Sequence, residues 1–328
     1  MTLSSAPGKV YLLGEHAVVY GEPTVLCAIE QRARVGVQRR DDGKLRVNAE
    51  DLSLDGFTVE YDGTADEGPD IDVSESLLDA AMGYVDGAIE QVRDVTGNDE
   101  VGFDVTIESD IPLGAGLGSS AAVVVAAIDA ATRELGVTLE TDELAERAYR
   151  TEYQVQNGQA SRADTFCSAT GGAVRVEGDD CRSLAAPDLP IVIGFDGGAG
   201  DTGQLVAGVR SLRDEYEFAA DTIAAIGDVV RNGEAALADG DLEELGRLMN
   251  FNHGLLSALG VSSRSLDTMV WAARDAGAYG AKLIGAGGGG CIAALDPTPE
   301  TETALSFTPG CEDAFRAELA DSGVKRLE

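Results

Sequence analysis

Short apolar runs, separated by polar residues, follow one another along most of the chain. Residues 10–13 form an early run that predicts a strand. Apolar and polar positions alternate over 33–38, 45–47 and 103–107, which predicts three more strands with one buried face each. The acidic stretch 62–72 is predicted to be a loop.

Helical patterns alternate with these strands. Residues 76–95, 120–135 and 141–155 are predicted to be helices, and the second is apolar on all faces and closes at Gly136, as a buried helix does. The polar, proline-containing segment 177–190 is predicted to separate two domains, 1–180 and 181–328. Beyond it the pattern predicts a strand at 191–195, several helices between 202 and 276, and a glycine-rich turn at 285–290.

Length and charge narrow the class of protein. A chain of 328 residues that is 44% hydrophobic predicts two packed domains of mixed α and β structure. The formal charge of -34 makes nucleic acid a poor partner, and its spread along the chain predicts adaptation to high salt, where repulsion is screened. An acidic protein from a moderate environment is the alternative. The four lysines are Lys9, Lys44, Lys282 and Lys325.

The cysteines and the lengths of the apolar runs indicate in which cell compartment the protein is expected. The five cysteines are far apart and form no C-x-x-C pair, which disfavours both a zinc site and a disulfide framework. No apolar stretch reaches membrane-spanning length, and residues 1–7 lack the features of a signal peptide. We therefore expect a cytoplasmic protein with no membrane partner.

A glycine-rich segment lies between the strand predicted at 103–107 and the buried helix. Free N–H groups and the helix dipole favour an anion there, phosphate above all, and the serines offer hydroxyl groups to Mg²⁺. The segment is no Walker A loop, and Ser119 stands where the dinucleotide pattern needs its third glycine. A purely structural turn is the alternative. The segment consists of Pro112, Leu113, Gly114, Ala115, Gly116, Leu117, Gly118, Ser119, Ser120, Ala121 and Ala122.

Three residues with acid–base or charge chemistry cluster around the first strand. Lys9 precedes it closely, and Glu15 and His16 follow it. His16 is one of two histidines, the other being His253. A lone lysine or histidine is usually a surface or core residue, so only the cluster points to function.

Together these segments resemble the GHMP kinase superfamily, whose three motifs match residues 7–21, 112–122 and 282–291 in the same order. The resemblance implies an N-terminal α/β domain of the ribosomal-protein-S5-like type and a C-terminal ferredoxin-like α+β domain, with the active site between them. Residues 14–21, 252–256 and 259–262 are most similar to the members that phosphorylate mevalonate. The implied reaction is transfer of the γ-phosphoryl group of ATP to the 5-hydroxyl of mevalonate.

The resemblance also implies roles for individual residues. Asp164 matches the catalytic base and Lys9 the lysine beside it, while Ser120 and Glu152 match the ligands of Mg²⁺. Residues 112–122 match the ATP-binding segment. One residue more than expected separates Glu152 from Gly158, which predicts a bulge in the helix. The residues on the substrate side are Lys9, Glu15, His16 and Asp164.

Three other functions compete with this interpretation. The first is another GHMP small-molecule kinase, such as phosphomevalonate kinase or an enzyme of the galactokinase type. A phosphorylated substrate would need extra cations, and only Lys9 and Arg162 stand out. A nucleotide-binding protein without catalysis is disfavoured by the presence of Lys9, Glu152 and Asp164, and a dinucleotide oxidoreductase by the glycine spacing. A homodimer is left open.

Overall fold

The computed structural model places the helices and strands in two groups, each built on its own sheet. The loop predicted at 62–72 and residue Leu113 lie outside the part of the chain that is described. The described residues are 1–49, 57–61, 75–112, 114–158, 160–198, 200 and 202–327.

The first sheet contains eight strands within the described residues, and all its pairings except that of β3 with β5 are antiparallel. The order is β12-β1-β2-β5-β3-β4, and β6 joins β2 to β7. The strands are β1 (Thr2–Leu13), β2 (Thr24–Arg40), β3 (Leu45–Ala49), β4 (Phe57–Tyr61), β5 (Gly102–Ser109), β6 (Ala173–Glu177), β7 (Asp180–Leu184) and β12 (Lys325–Leu327).

Four helices belong to this sheet: α1 (Glu75–Thr96), α2 (Ser119–Glu134), α3 (Thr141–Val155) and α4 (Arg162–Thr170). The helix α2 lies against β1 and β2 and also packs on α1 and α3, so its apolar side chains are covered on several sides. This position explains why its sequence lacks a polar face. The predicted helices at 76–95, 120–135 and 141–155 are confirmed to within a residue at each end.

The second sheet contains four antiparallel strands: β8 (Ile191–Phe195), β9 (Gly280–Leu283), β10 (Cys291–Leu295) and β11 (Asp313–Ala317). Their order, β11-β8-β10-β9, is the arrangement of the ferredoxin-like fold. The helices α5 (Thr202–Glu215), α6 (Glu217–Asp239), α7 (Leu242–Ala258) and α8 (Arg264–Asp275) connect β8 to β9, and α9 (Glu300–Ser306) connects β10 to β11. The expected combination of α/β and α+β structure is thereby confirmed.

Two local predictions differ from the structure, and one strand was not predicted. The first strand begins at Thr2 and not at residue 10, because residues 2–7 pair with β2 and residues 3–5 also pair with β12. The polar segment 177–190 contains β7, an exposed edge strand whose polar side chains face water. The domain boundary placed within that segment stays a prediction.

The predicted bulge in α3 is also wrong. The helix runs regularly to Val155, and the extra residue lies in the turn that follows. Asn157 and Gly158 adopt positive φ angles of 51° and 82° there, which reverses the chain without disturbing the helix. Within the described residues, none of the helices combines the length and apolar character that a bilayer crossing requires.

Candidate functional site

A buried ion pair joins the first strand to the first turn of α4. Lys9 Nζ lies 3.0 Å from Asp164 Oδ2, and the lysine side chain is 3% exposed whereas that of Asp164 is 26% exposed. The register of β1 against β2 shifts between Pro7 and Gly8, immediately before Lys9. Such irregularities in a strand re-aim the side chains that follow them. The helix α4 begins after Ser161, whose hydroxyl caps it, and this fixes the start of the turn that carries Asp164.

The tyrosine two residues along β1 contacts both members of the ion pair. Tyr11 Oη donates a 2.8 Å hydrogen bond to Asp164 Oδ1, and Lys9 Nζ lies 4.5 Å from the centre of the Tyr11 ring. Burial and the charge of Asp164 raise the pKa of Tyr11 well above its ordinary value. The phenol therefore stays protonated and donates.

The glycine-rich segment forms a loop that ends in the N-terminus of α2. Gly114, Gly116 and Gly118 all have φ between 72° and 76°, a region open to glycine at little cost. Leu117 and Ala115 between them are buried and anchor the loop. The position before α2 is Gly118, and no side chain in the described structure caps the helix. Its first N–H groups are therefore available to an anion.

The contact with Lys9 requires a glycine at position 118, apart from any need for room for a phosphate. A Cβ atom at this position would lie 2.8 Å from Cγ and Cε of Lys9. The lysine stem thus runs across the glycine, and Lys9 Nζ donates a 2.9 Å hydrogen bond to Gly116 O. The loop and the ion pair are fitted to one another.

Ser120 and Glu152 form a second polar pair close to the first. Ser120 Oγ donates a 2.7 Å hydrogen bond to Glu152 Oε1. Burial, with the negative charge of Asp164 as the next cause, raises the pKa of Glu152 to about 7, while Ser120 and Lys9 act in the opposite direction. A buried carboxylate beside another carboxylate is an environment that a cation would stabilise.

A fully buried ion pair connects the two sheets. Lys282 of β9 contacts Glu15 Oε1 and donates hydrogen bonds to the carbonyl oxygens of Tyr11, at 3.4 Å, and Leu283, at 2.8 Å. Burial raises the pKa of Glu15 and lowers that of Lys282, and their mutual attraction opposes both shifts. The other carboxylate oxygen, Glu15 Oε2, is buried without a hydrogen-bond partner in the described structure.

His16 and Gly14 also contact the second half of the chain. His16 has φ 60° and its Nε2 lies 2.9 Å from Ala286 O, so this nitrogen carries the proton and donates. Gly14 N–H donates to Asn252 Oδ1 at 2.9 Å. These contacts bring the end of the first strand under the glycine-rich turn at 285–290.

Two glycine-rich loops meet at the centre of the molecule. A Cβ atom on Gly285 would lie 3.4 Å from the Cα atom of Gly116, and one on Gly290 would lie 3.4 Å from Gly114 O. Asp196 holds the second loop, since its Oδ1 accepts hydrogen bonds from Gly290 N–H at 2.8 Å and Gly198 N–H at 2.9 Å. The glycine-rich loop before α2 is thereby supported by the loop that connects β9 to β10 in the second sheet.

Comparison with known proteins agrees with this arrangement. The family models for the GHMP kinases N terminal domain and the GHMP kinases C terminal match residues 83–172 and 234–306. A protein of Thermococcus gammatolerans named mevalonate kinase is 42% identical over an alignment of 332 residues. The alignment covers 98% of this chain and 97% of the relative. The chain belongs to the mevalonate kinase family.

Solved structures of mevalonate kinases share the fold over nearly the whole chain. The Methanococcus jannaschii mevalonate kinase has a TM-score of 0.78 at 26% identity and covers 97% of this chain and 98% of its own. The L. major mevalonate kinase in complex with R-mevalonate has a TM-score of 0.77 at 25% identity, with coverage of 96% and 94%. The expected GHMP kinase fold is therefore confirmed.

The structure brings the predicted site residues of this mevalonate kinase family member together. Lys9 pairs with Asp164, Ser120 bonds to Glu152, and both pairs adjoin the loop that precedes α2. Arg162, the other cation considered near the substrate, instead pairs with Glu146 and Asp179.

The sequence analysis assigned no role to Tyr11 or Lys282. A signal for both was present: Tyr11 follows Lys9 at the strand period of two, and Lys282 is one of four lysines and opens the third motif. His253, the second histidine, is structural. It accepts the N–H of Leu283 at Nδ1 and faces Asp267 through Nε2, and its pKa is lowered to about 4, mainly by burial.

We predict that Lys282→Met lowers the free energy of unfolding by about 3–5 kcal/mol, because Glu15 loses its buried partner. Lys325→Met is the matched control, since Lys325 and Glu30 are both 40% exposed and such pairs contribute at most about 1 kcal/mol. Without Lys282 the folded-state pKa of Glu15 rises further above its ordinary 4.5. Stability is then lost as pH rises, so the deficit should shrink from about pH 8 to about pH 5.

Denaturant titration at several pH values measures this deficit. An equal loss for Lys282→Met and Lys325→Met, or a deficit that is independent of pH, would contradict a charged Glu15–Lys282 pair.

Proposed function

We propose that the protein transfers the γ-phosphoryl group of ATP to the 5-hydroxyl of mevalonate and releases 5-phosphomevalonate and ADP. The observation that carries this proposal is the Lys9–Asp164 ion pair beside the uncapped N-terminus of α2. It combines a carboxylate that is open to a substrate with a site suited to phosphate groups. The mevalonate kinases to which the chain is similar support the choice of substrate.

The ATP phosphates would lie on the loop and the start of α2, over residues 112–122. No side chain in the described structure caps the first N–H groups of α2, and the helix dipole adds a partial positive charge there. Lys9, held at Gly116 O, brings a full positive charge to the same place. This charge distribution suits a transferring phosphoryl group.

Mg²⁺ is the proposed cofactor, held by Ser120 and Glu152. The hydroxyl and carboxylate oxygens are hard donors of the kind that Mg²⁺ prefers, and a cation would oppose the burial and the charge of Asp164 that raise the pKa of Glu152. The described residues contain no cluster of three or more His, Cys, Asp or Glu side chains able to hold a metal ion. Two protein ligands fit an ion that also binds phosphates, and when bound it would neutralise their charge.

Asp164 would act as the base. As the 5-hydroxyl oxygen forms its bond to the γ-phosphorus, its proton passes to the Asp164 carboxylate and the bond to the bridging oxygen breaks, with ADP leaving with the electron pair. Lys9 keeps the carboxylate in place and stabilises the negative charge on the transferring group. The protein's contribution is mainly position and charge.

Glu15 and His16 are the proposed contacts to mevalonate. The buried Glu15 Oε2 has an unfilled acceptor site that a substrate hydroxyl would satisfy. A phosphorylated substrate fits less well, because Arg162 is already paired with Glu146 and Asp179. This argues against phosphomevalonate as the acceptor.

Asp164→Asn should abolish turnover while ATP binding survives, because the proton acceptor is lost and the loop is untouched. The assay is coupled ADP release over mevalonate, phosphomevalonate, homoserine and galactose, with a nucleotide analogue to measure binding. Asp110→Asn is the control, since this carboxylate pairs with Arg34 and is 54% exposed. Retention of more than about a tenth of wild-type kcat by Asp164→Asn would remove Asp164 from the role of base. Preference for another acceptor would refute the substrate assignment.

Gly118→Ala should lower activity, whereas Gly136→Ala should not. Both glycines flank α2 with φ of 76° and 80°, so each substitution costs about 1 kcal/mol of backbone strain. Only at Gly118 would the new Cβ atom meet Lys9, whereas nothing lies within 4 Å of it at Gly136. We expect a fall in kcat of about tenfold or more for Gly118→Ala alone. Similar kcat values in both variants would show that catalysis does not depend on the position of the Lys9 side chain that Gly118→Ala displaces.

The dispersed negative charge is proposed to adapt the protein to high salt. We expect the melting temperature to rise between about 0.1 M and about 3 M KCl, because salt screens the repulsion among carboxylates. An unchanged melting temperature would contradict this proposal. A cytoplasmic location, a homodimer and a domain boundary near residue 180 also remain predictions.

A further inference from the structure

One buried side chain touches both members of the proposed catalytic pair. The hydroxyl group of Tyr11 reaches Asp164 Oδ1 at 2.8 Å, and its ring lies under the ammonium group of Lys9 at 4.5 Å. The residue is 7% exposed, so these contacts are made away from bulk water, where hydrogen bonds and cation–π contacts are strongest.

The strand geometry explains why one tyrosine can do this. Lys9 and Tyr11 are two residues apart in β1, so their side chains leave the same face of the strand. The pairing of β1 with β2 is regular from Gly8 to Tyr11, and its register shifts lie on either side of this stretch, between Pro7 and Gly8 and after Tyr11. The relation between the two side chains is therefore set by regular strand backbone and not by a loop.

Each oxygen of the Asp164 carboxylate has its own partner. Tyr11 binds Oδ1, while Lys9 binds Oδ2 at 3.0 Å. A carboxylate held at both oxygens cannot turn about its Cβ–Cγ bond, and each oxygen keeps a second lone pair for a substrate proton. With only Lys9 present, the group would be held at one oxygen and could rotate away from the attacking hydroxyl.

Tyr11 cannot replace Asp164 as the base. Burial is the main reason that its pKa is raised well above the ordinary value, so the phenol keeps its proton. Its contribution is limited to donating one hydrogen bond and presenting its ring to Lys9.

We propose that Tyr11 is a positioning residue that fixes the Asp164 carboxylate and the Lys9 ammonium in the orientation needed for proton acceptance. This inference rests on the proposed function, since it assumes that Asp164 is the base.

The test is Tyr11→Phe, which removes the hydroxyl group and keeps the ring over Lys9. We expect kcat to fall roughly tenfold, as for loss of one hydrogen bond to a charged group, with the KM values for ATP and mevalonate within about twofold of wild type. Tyr279→Phe is the matched control and should keep wild-type kcat, since Tyr279 is a half-buried tyrosine that packs against the hydrophobic core. The stoichiometry of bound nucleotide analogue gives the fraction of folded sites, so that kcat is expressed per competent site.

The two variants, Tyr11→Phe and Asp164→Asn, together test the role of Tyr11 separately from that of Asp164. Wild-type kcat for Tyr11→Phe, or a loss that appears only in KM or in the fraction of competent sites, overturns the positioning role. If Asp164→Asn is inactive and Tyr11→Phe is fully active, the proposed function stands and only this inference fails. If Asp164→Asn retains wild-type turnover, the base assignment itself fails, whatever Tyr11→Phe does.

Discussion

The buried ammonium group of Lys9 constrains the geometry of the whole site. Its Nζ binds Gly116 O and Asp164, its stem runs across Gly118, and its backbone N–H donates to Leu117 O at 2.8 Å. One residue thus connects the first strand, the glycine loop and α4. Because a buried ammonium group is costly unless it is paired, these neighbours offset the cost of burying Lys9.

The loop that connects two strands of the second sheet contacts the glycine loop near Lys9 through backbone atoms and not through bulky side chains. The loops at 114–118 and 285–290 are in van der Waals contact, since a Cβ atom on Gly285 would lie 3.4 Å from the Cα atom of Gly116, and the φ of 73° at Gly285 is one that glycine adopts at little cost. Asp196 and the Glu15–Lys282 pair then fix the second loop from behind. Contacts of this kind transmit position between the sheets because neither side has a flexible side chain to absorb a shift.

Sequence patterns were sufficient for the three helices of the first half of the chain and for the residues inside motifs. The helix at 120–135 was predictable because burial on all sides leaves only apolar residues, and the site pairs followed from the resemblance of the motifs. The start of β1 and the strand β7 were missed because partners distant in the chain, β12 and β6, determine them. The positions of Lys282 and Tyr11 relative to the motifs marked both residues, but their contacts with Glu15 and Asp164 become visible only in the structure.

The pairing of β12 with β1 bears on how the chain acquires its structure during synthesis. Leu3 pairs with Leu327 and Ser5 with Lys325, and Arg326 Nε donates a 3.2 Å hydrogen bond to the buried Asp129 of α2. The edge of the first sheet therefore stays open until the ribosome has made the entire second sheet. The N-terminal half cannot complete its fold while it emerges, and its exposed β1 edge must avoid pairing with other nascent chains until residues 325–327 arrive.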